Sequence, residues 1–571
     1  MHIFQIMMRY VIFFILVFSL FMACKTENAT NSKSTKSLKQ VFVENAAVVT
    51  AHPIATQVGI DILKKGGNAI DAAIAVQFAL AVTYPRAGNI GGGGFMIIRL
   101  ANGEKYCLDF REKAPALSNK DMYLDDAGDA ISRLSKDGHL AAGVPGSVDG
   151  MVKAFERFSK LKDWKSLVNP SIKLALNGFS VAEKQIKDLE SIQNEIAKFS
   201  TKKVALGSPL QEGRFLLQKD LGKTLKAISD FGADGFYKGW VAESIVAEMK
   251  RGNGIMTLKD LAKYEAIWRD PIVGEYEGFE IVSMPPPSSG GIALLQLFDM
   301  LEPYDLHKMK YHSPEMIHLI SEVERRVYAD RAEHLGDSDF YPVPIAGLLN
   351  SAYLVNRMKD FHLGKASESD EIQAGFFEES EETTHYSILD SFGNAVSVTT
   401  TINGSYGSKT VVSGAGFLLN NEMDDFSVKP GVPNLYGLIG NEANKIEPHK
   451  RMLSSMTPTI ATHSDGTQII VGSPGGSTII TSVLQTILNI VEFDMSAYDA
   501  IQAPRFHHQW LPDYIHMEEG GFNEDTRNQL ETYGHEIKVR GPIGRVEAIY
   551  KKQGKIEGAA DERGDDTAGG Y

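Results

Sequence analysis

Thr383-Thr384-His385-Tyr386-Ser387-Ile388-Leu389-Asp390, then Ser391-Phe392-Gly393-Asn394, then Ala395-Val396-Ser397-Val398-Thr399-Thr400-Thr401-Ile402 reads as two strands joined by a turn. β-Branched and aromatic residues fill both runs, and Gly and Asn fill the turn. With Asp390 opposite Ala395, Thr384 faces Thr401 and Thr383 faces Ile402. A slip of one residue stays open, because sequence alone does not set the register of a turn. In either register the start of the first strand returns beside Thr401, Ile402 and Asn403. Hydroxyls and an amide therefore gather at one sheet end. Thr-rich strands alone mean little, since Thr has high β-propensity. The surrounding sequence decides.

Just upstream, Glu378, Glu379, Glu381 and Glu382 crowd a segment with little hydrophobic pattern, as in a solvated loop. Downstream, Asn420-Asn421-Glu422-Met423-Asp424-Asp425-Phe426 follows a glycine-rich turn. Residues 429–448 carry Gly, Pro and Asn without a period and include Tyr436, the pattern of a long ordered loop. Ser454-Ser455 offers adjacent hydroxyls. A strand over Gln468–Gly472 runs into Ser473-Pro474-Gly475-Gly476-Ser477 and a helix over 478–493. A Gly-Gly turn at a helix start exposes backbone N–H groups at the positive end of the dipole, where an oxyanion can sit. A plain N-cap at Ser477 or Thr478 is the simpler use of the same residues.

Further upstream, residues 60–84 read as two helices around Gly66-Gly67-Asn68. Gly88-Asn89-Ile90-Gly91-Gly92-Gly93-Gly94 precedes strands over 95–100 and 105–110, joined by Asn102-Gly103. That glycine cluster lacks a G-K-[ST] ending, and the strand follows it, so neither a P-loop nor a dinucleotide fingerprint is present. Helices follow over Ser147–Phe158 and 171–177, through most of 182–256, from 292 after the stiff Met284-Pro285-Pro286-Pro287-Ser288-Ser289-Gly290-Gly291 loop, and over Pro314–His334. His507-His508 has no carboxylate at ligand spacing and reads as structural. No metal or organic cofactor is implied.

The chain has 571 residues, 58 Lys+Arg against 72 Asp+Glu and a net charge of −14, which excludes a basic nucleic-acid binder. Hydrophobic residues at 43% and charged residues at 23% fit a globular protein. Cys24 and Cys107 are the two cysteines, too few for a disulfide framework or a Cys-based zinc cluster. Residues 11–23 are apolar apart from Ser19 and follow Arg9, a run short of the ~20 residues needed to span a bilayer. Leu20-Phe21-Met22-Ala23-Cys24 resembles a lipobox, with Phe21 where Leu is usual. Residues 1–24 are accordingly expected to be a signal peptide ending at a lipidated Cys24, and 25–42 a polar tether. An extracytoplasmic, membrane-anchored protein follows; an ordinary secretory signal with a chance Cys is the alternative.

In combination, Asp109-Phe110-Arg111-Glu112, Thr383-Thr384-His385-Tyr386-Ser387, the Asn420 to Phe426 motif, Lys429-Pro430-Gly431-Val432-Pro433-Asn434-Leu435-Tyr436-Gly437, Leu453-Ser454-Ser455-Met456 and Gly472-Ser473-Pro474-Gly475-Gly476-Ser477 resemble the gamma-glutamyltranspeptidases. These are N-terminal-nucleophile hydrolases. The resemblance runs from about Val43 to the end and implies an α+β fold, a four-layer αββα sandwich. It implies self-cleavage between Glu382 and Thr383, giving a large subunit 43–382 and a small subunit 383–571 that form one unit. Thr383 is implied as nucleophile, with its freed α-amine as base, since such an amine has a reference pKa of about 7.7–8.0. Thr401 is implied to orient its hydroxyl, and Gly475 and Gly476 to hold the oxyanion. Arg111, Ser454 and Ser455 match the residues that bind the α-carboxylate of a γ-glutamyl group. Asn403, Glu422 and Asp425 match those that bind its α-ammonium, Glu422 being one of two alternatives, Glu or Gln. Tyr436 matches a lid tyrosine. Asp561-Glu562-Arg563 departs from a frequent Asp-Pro-Arg.

The implied substrates are glutathione and related γ-glutamyl amides, with water or the amine of an amino acid or peptide as acceptor. Within the superfamily a cephalosporin-type acylase or a poly-γ-glutamate depolymerase is the rival reading. Outside it, the rival is a surface lipoprotein that kept the fold and lost catalysis.

Overall fold

The computed structural model describes residues 38–210, 215–369 and 383–571, apart from Pro430, Pro433, Tyr436 and Ile439. Cys24, Glu382 and the lid residue Tyr436 therefore lie outside the described residues, as does the acidic segment before Thr383.

Strand Thr384–Leu389 does pair antiparallel with Ala395–Thr401, but Leu389 rather than Asp390 faces Ala395, so Thr384 faces Thr400. The slipped register is the one adopted. The cause is Asp390. Its carboxylate accepts the amides of Phe392 and Asn394, each at 2.9 Å, and its backbone N–H donates to the Asn394 carbonyl at 3.0 Å. Asp390 thus belongs to the turn, where a short side-chain acceptor nucleates an Asx-type loop. Gly393, at φ +91, supplies the left-handed residue. Continued by one place, this register sets Thr383 opposite Thr401.

The hairpin lies in the middle of a seven-stranded sheet, flanked by Ala47–Thr50 on one side and Gly93–Arg99 on the other. A second seven-stranded sheet packs against it and contains Phe279–Ser283, Thr459–His463, Gln468–Gly472, Glu547–Lys552 and Lys555–Ala560. Val49, Phe95, Ile97, Val282, Ile470 and Ile549 fill the layer between the sheets. Hydroxyls cross it: Ser387 Oγ donates to the carbonyls of Ile470 and Glu547, and Ser397 Oγ to that of Val471, at 3.1–3.2 Å. Both faces of each hairpin strand are therefore buried, so the apolar-polar alternation of a half-exposed strand is absent.

Helices cover both outer faces. Pro53–Lys64, Ala69–Thr83, Ser147–Phe158 and Trp164–Asn177 share a core with the hairpin's sheet. Ala69–Thr83 is buried on every side, which its small Ala side chains permit. Gly290–Leu301, Pro314–His334 and Thr478–Val491 share a core with the second sheet. The result is the expected four-layer αββα sandwich.

The folded body begins earlier than expected at 43. Gln40–Val43, read as the end of a tether, is an edge strand paired with Lys555–Ala560. Lys39 Nζ donates to the carbonyls of Asp561, Gly564 and Asp566 at 2.7–2.8 Å. The glycine cluster also finds its use. A Cβ on Gly92 would come within 2.0 Å of the Thr401 carbonyl oxygen, and one on Gly94 within 2.4 Å of that of Thr399. Backbone packs directly on the strand that carries Thr401, and no larger residue fits. Among the described residues no helix is long and apolar enough to cross a membrane.

Candidate active site

One small pocket is lined by Arg111, Thr383, Thr401, Asn403, Glu422, Asp425, Ser454, Ser455 and Gly476. Each of these was singled out from the sequence. Thr383 is 4% exposed at its wall. Thr401 ends the return strand, and its Oγ1 accepts the Asn403 amide at 2.7 Å. Asn403 sits at φ +68 and donates from Nδ2 to the Asn421 carbonyl at 3.0 Å. Thr383, Thr401 and Asn403 thus meet at the sheet end that the hairpin defines.

One end of the pocket is built by backbone. Gly475 and Gly476 have φ +136 and +54, so a side chain at either would strain the turn. Thr478–Val491 starts immediately afterwards. The Gly475 and Gly476 N–H groups donate to no partner among the described residues. Unpaired donors at the positive end of a buried helix are suited to a developing negative charge.

Opposite lies a cluster of charge. Arg111 follows strand Lys105–Asp109 and is fully buried. Its Nη1 donates to Glu422, and its Nη2 to Asp425 at 2.5 Å. Nε and Nη2 also reach the Met452 and Leu453 carbonyls at 3.3 and 3.2 Å. Burial works against this guanidinium, but Glu422, Asp425 and Glu112 outweigh it and hold the Arg111 pKa above its usual value. Burial also pushes the three carboxyls up, against the pull of Arg111, with Glu112 reaching about 8. Among the described residues, both oxygens of Glu112 and Oε2 of Glu422 have no hydrogen-bond partner. The turn Glu422–Asp425 is held by Asn420, whose Oδ1 accepts the Glu422 amide at 3.1 Å and whose Nδ2 donates to the Gly91 and Gly143 carbonyls.

Ser454 and Ser455 complete the wall. The proline-rich loop cradles them: the Ser454 amide donates to the Pro287 carbonyl at 2.9 Å, and Ser289 Oγ donates to the Ser454 carbonyl at 2.7 Å. Sequence reasoning missed Arg331, which also lines the pocket. Its Nη2 donates to Ser455 Oγ at 3.0 Å.

The histidines are taken up elsewhere. His385, in the motif itself, bonds Thr399 Oγ1 and Ser387 Oγ, and burial pushes it down to about 3. His507 bonds Thr481 Oγ1 and Gln509 Oε1, each at 2.9 Å, a structural use. His318, Glu322 and His535 form a group with the spacing to hold a metal ion. Their atoms are engaged with one another or with Arg325, Arg326, Ser367 and the His362 carbonyl, which is the pattern of a structural network.

Residues 55–571 match the family model described as Gamma-glutamyltranspeptidase. The chain belongs to the gamma-glutamyltranspeptidase family. It is 45% identical over 539 residues to a glutathione hydrolase proenzyme of Escherichia coli, covering 93% of each chain. A solved chain of the Helicobacter pylori gamma-glutamyltranspeptidase is 45% identical, with a TM-score of 0.54 over 57% of this chain and 93% of that one. A cephalosporin acylase from Bacillus halodurans superposes with a TM-score of 0.82 over 96% of this chain and 99% of that one, at 24% identity, a likeness of fold. In this family member, then, every described residue that the motifs pick out as functional lies in or beside one pocket.

Proposed function

We propose that the chain is a self-processing gamma-glutamyltransferase and glutathione hydrolase with Thr383 as nucleophile. The peptide bond between Glu382 and Thr383 breaks, leaving a large subunit that ends at Glu382 and a small subunit 383–571. Thr383 then carries a free α-amine. With a reference pKa of about 7.7–8.0, that amine is partly neutral near pH 7–8 and can take the Thr383 hydroxyl proton. Oγ1 attacks the γ-carbonyl of the donor, and the negative oxygen settles on the Gly475 and Gly476 N–H groups. The carbon–nitrogen bond breaks, and the leaving amine takes the proton. A γ-glutamyl ester on Thr383 remains. Water releases glutamate from it, or an amino-acid or peptide amine takes the group.

One observation carries this reading. A hydroxyl, a glycine turn with unpaired backbone donors and a buried group of opposite charges meet at one small pocket. The donor head carries both an α-carboxylate and an α-ammonium. It can replace an ion pair with an ion pair: its carboxylate takes Arg111, Ser454 and Ser455, and its ammonium takes Glu422, Asp425 and Asn403. The pocket is small and walled by charged and hydroxyl side chains, which favours a single head group over a polymer. Tyr436 would cover it. Residues 1–24, ending at a lipidated Cys24, would place the enzyme outside the cytoplasm.

The test is the mass of the denatured, purified protein together with turnover of glutathione. Two fragments, one starting at Thr383 and one ending at Glu382, are expected. Thr383→Ala should leave one uncleaved chain and lower turnover by about 10⁴-fold or more. An uncleaved wild-type chain without turnover would instead favour the inactive binding module, and turnover of poly-γ-glutamate without glutathione the depolymerase.

A further inference from the structure

Arg331 sits late in helix Pro314–His334 with its side chain directed to the pocket wall. It is 4% exposed. Among the described residues no carboxylate lies within 4.0 Å of its guanidinium. Asp425 acts on it only at longer range. Its neighbours on the same helix differ. Arg325 is paired with Glu322 and Asp513, and Arg326 with Glu322 and Asp360. Burying a cation without a counter-ion costs several kcal/mol, so such a residue usually awaits a partner. Burial indeed lowers the Arg331 pKa, to about 10.

The hydrogen bonds say what it does there. Arg331 Nε donates to Ser289 Oγ and Nη2 to Ser455 Oγ, both at 3.0 Å. A guanidinium can only donate, so both hydroxyls must accept from it and direct their own protons elsewhere. Ser289 sends its proton to the Ser454 carbonyl. Ser455 accepts Nη2, and its own O–H has no acceptor among the described residues, leaving it to donate into the pocket. Arg331 Nη1 has no hydrogen-bond partner among the described residues.

Building on the reading above, we propose that Arg331 is a positioning residue and specificity determinant for the donor's α-carboxylate. It fixes Ser455 as a hydrogen-bond donor toward that carboxylate and presents a buried positive charge that no carboxylate among the described residues pairs with directly. Arg111, held by Glu422 and Asp425, sets where the head group docks. Arg331 makes the pocket require a carboxylate there.

The experiment compares two chromogenic donors in the full, matured enzyme: L-γ-glutamyl-p-nitroanilide and the same compound with its α-carboxylate converted to the amide. Arg331→Gln should raise KM for the carboxylate donor roughly 10- to 100-fold, the range of one lost charge-assisted hydrogen bond, with kcat within about 3-fold. The amide donor should change less than about 3-fold. Arg331→Lys keeps the charge but cannot hold both hydroxyls in a fork, so a smaller rise of about 3- to 10-fold, again confined to the carboxylate donor, is expected. Equal losses on both donors, or a loss in kcat alone, would overturn the proposal. If Arg331→Gln fails to mature, an unchanged KM in Arg331→Lys would do the same. A wild-type enzyme that turns over neither donor would sink the underlying reading instead.

Discussion

Two buried arginine clusters in this molecule are built from the same residue types and do different things. Around Arg505 and Arg563, every carboxylate oxygen of Asp561 and Glu518 is in use. Asp561 accepts from Arg505 Nη2, Arg563 Nη1 and the Arg563 and Val546 amides at 2.8–3.1 Å. Glu518 accepts from Arg563 Nε and Nη2 and from the Arg505 and Ile543 amides at 2.5–3.0 Å. Around Arg111 three carboxylates crowd one guanidinium, and three of their oxygens have no hydrogen-bond partner among the described residues. The first cluster is complete by itself. The second has bonding capacity left over, which a native protein tolerates where a ligand completes the site. Residue type and burial do not separate these two clusters; their unfilled hydrogen-bonding positions do.

The largest effect that sharpens this contrast is expected at Asp561. Asp561→Asn breaks a completed buried network and should cost about 3–5 kcal/mol of stability, read by denaturant or thermal unfolding. The enzyme that remains folded should keep its KM. The pH signature follows from the direction of the shift. Burial raises the Asp561 pKa, but Arg505, Arg563 and two backbone amides outweigh it, and the net pKa is lowered. Its stabilisation is therefore present above the unfolded value of about 3.9 and is lost as pH falls through the lower folded value. The variant has no such term to lose and should show a flatter acid-unfolding profile. A raised KM with unchanged stability would break the comparison.

Glu112 should behave in the opposite sense. Burial holds its folded pKa at about 8, so folding takes up a proton at pH values between the unfolded value of about 4.3 and 8. Wild-type stability should fall with rising pH across that window. Glu112→Gln should remove this slope, giving equal stability near pH 4 and a more stable protein at pH 8. Melting temperature against pH is the measurement. Parallel curves for the two proteins would mean that Glu112 is ionised in the folded state at neutral pH.

Much of this was legible from the chain. Resemblance to a known family marked the site residues, and of these the hairpin pattern alone placed Thr383, Thr401 and Asn403 at one sheet end. Register at Asp390 was not legible, because one side-chain acceptor decided between two loops of similar composition. Arg331 was hidden for a different reason. Helix Pro314–His334 buries Glu322, Glu324, Arg325, Arg326, Asp330 and Arg331 together. Periodicity assigns such residues to a solvated face, and only tertiary packing turns that face inward. The role of the Gly91 to Gly94 run was likewise out of reach, since a close backbone approach leaves no mark on composition. The sequence excluded the nucleotide loop; the packed strands supply what the glycines are for.

The smallest expected effect falls on Glu422, and it tests the contrast from inside the site. Oε1 of Glu422 receives Arg111 Nη1, while Oε2 is buried without a partner. Burial drives this carboxyl up, and Arg111 only partly restores it. Glu422→Gln retains a carbonyl oxygen for Arg111 and removes a buried carboxyl whose charged form burial disfavours. Stability should therefore hold steady or rise, unlike in Asp561→Asn. The cost should appear in binding instead. An amide cannot take on the negative charge that the Glu422 carboxyl can offer once the donor's ammonium is bound beside it, while Asp425 and Asn403 still contribute. KM for a γ-glutamyl donor should rise several-fold, equivalent to about 1 kcal/mol, with kcat little changed. A variant that lost stability while keeping its KM would mean that the cluster around Arg111 is a completed structural network after all, of the same kind as the one around Arg505.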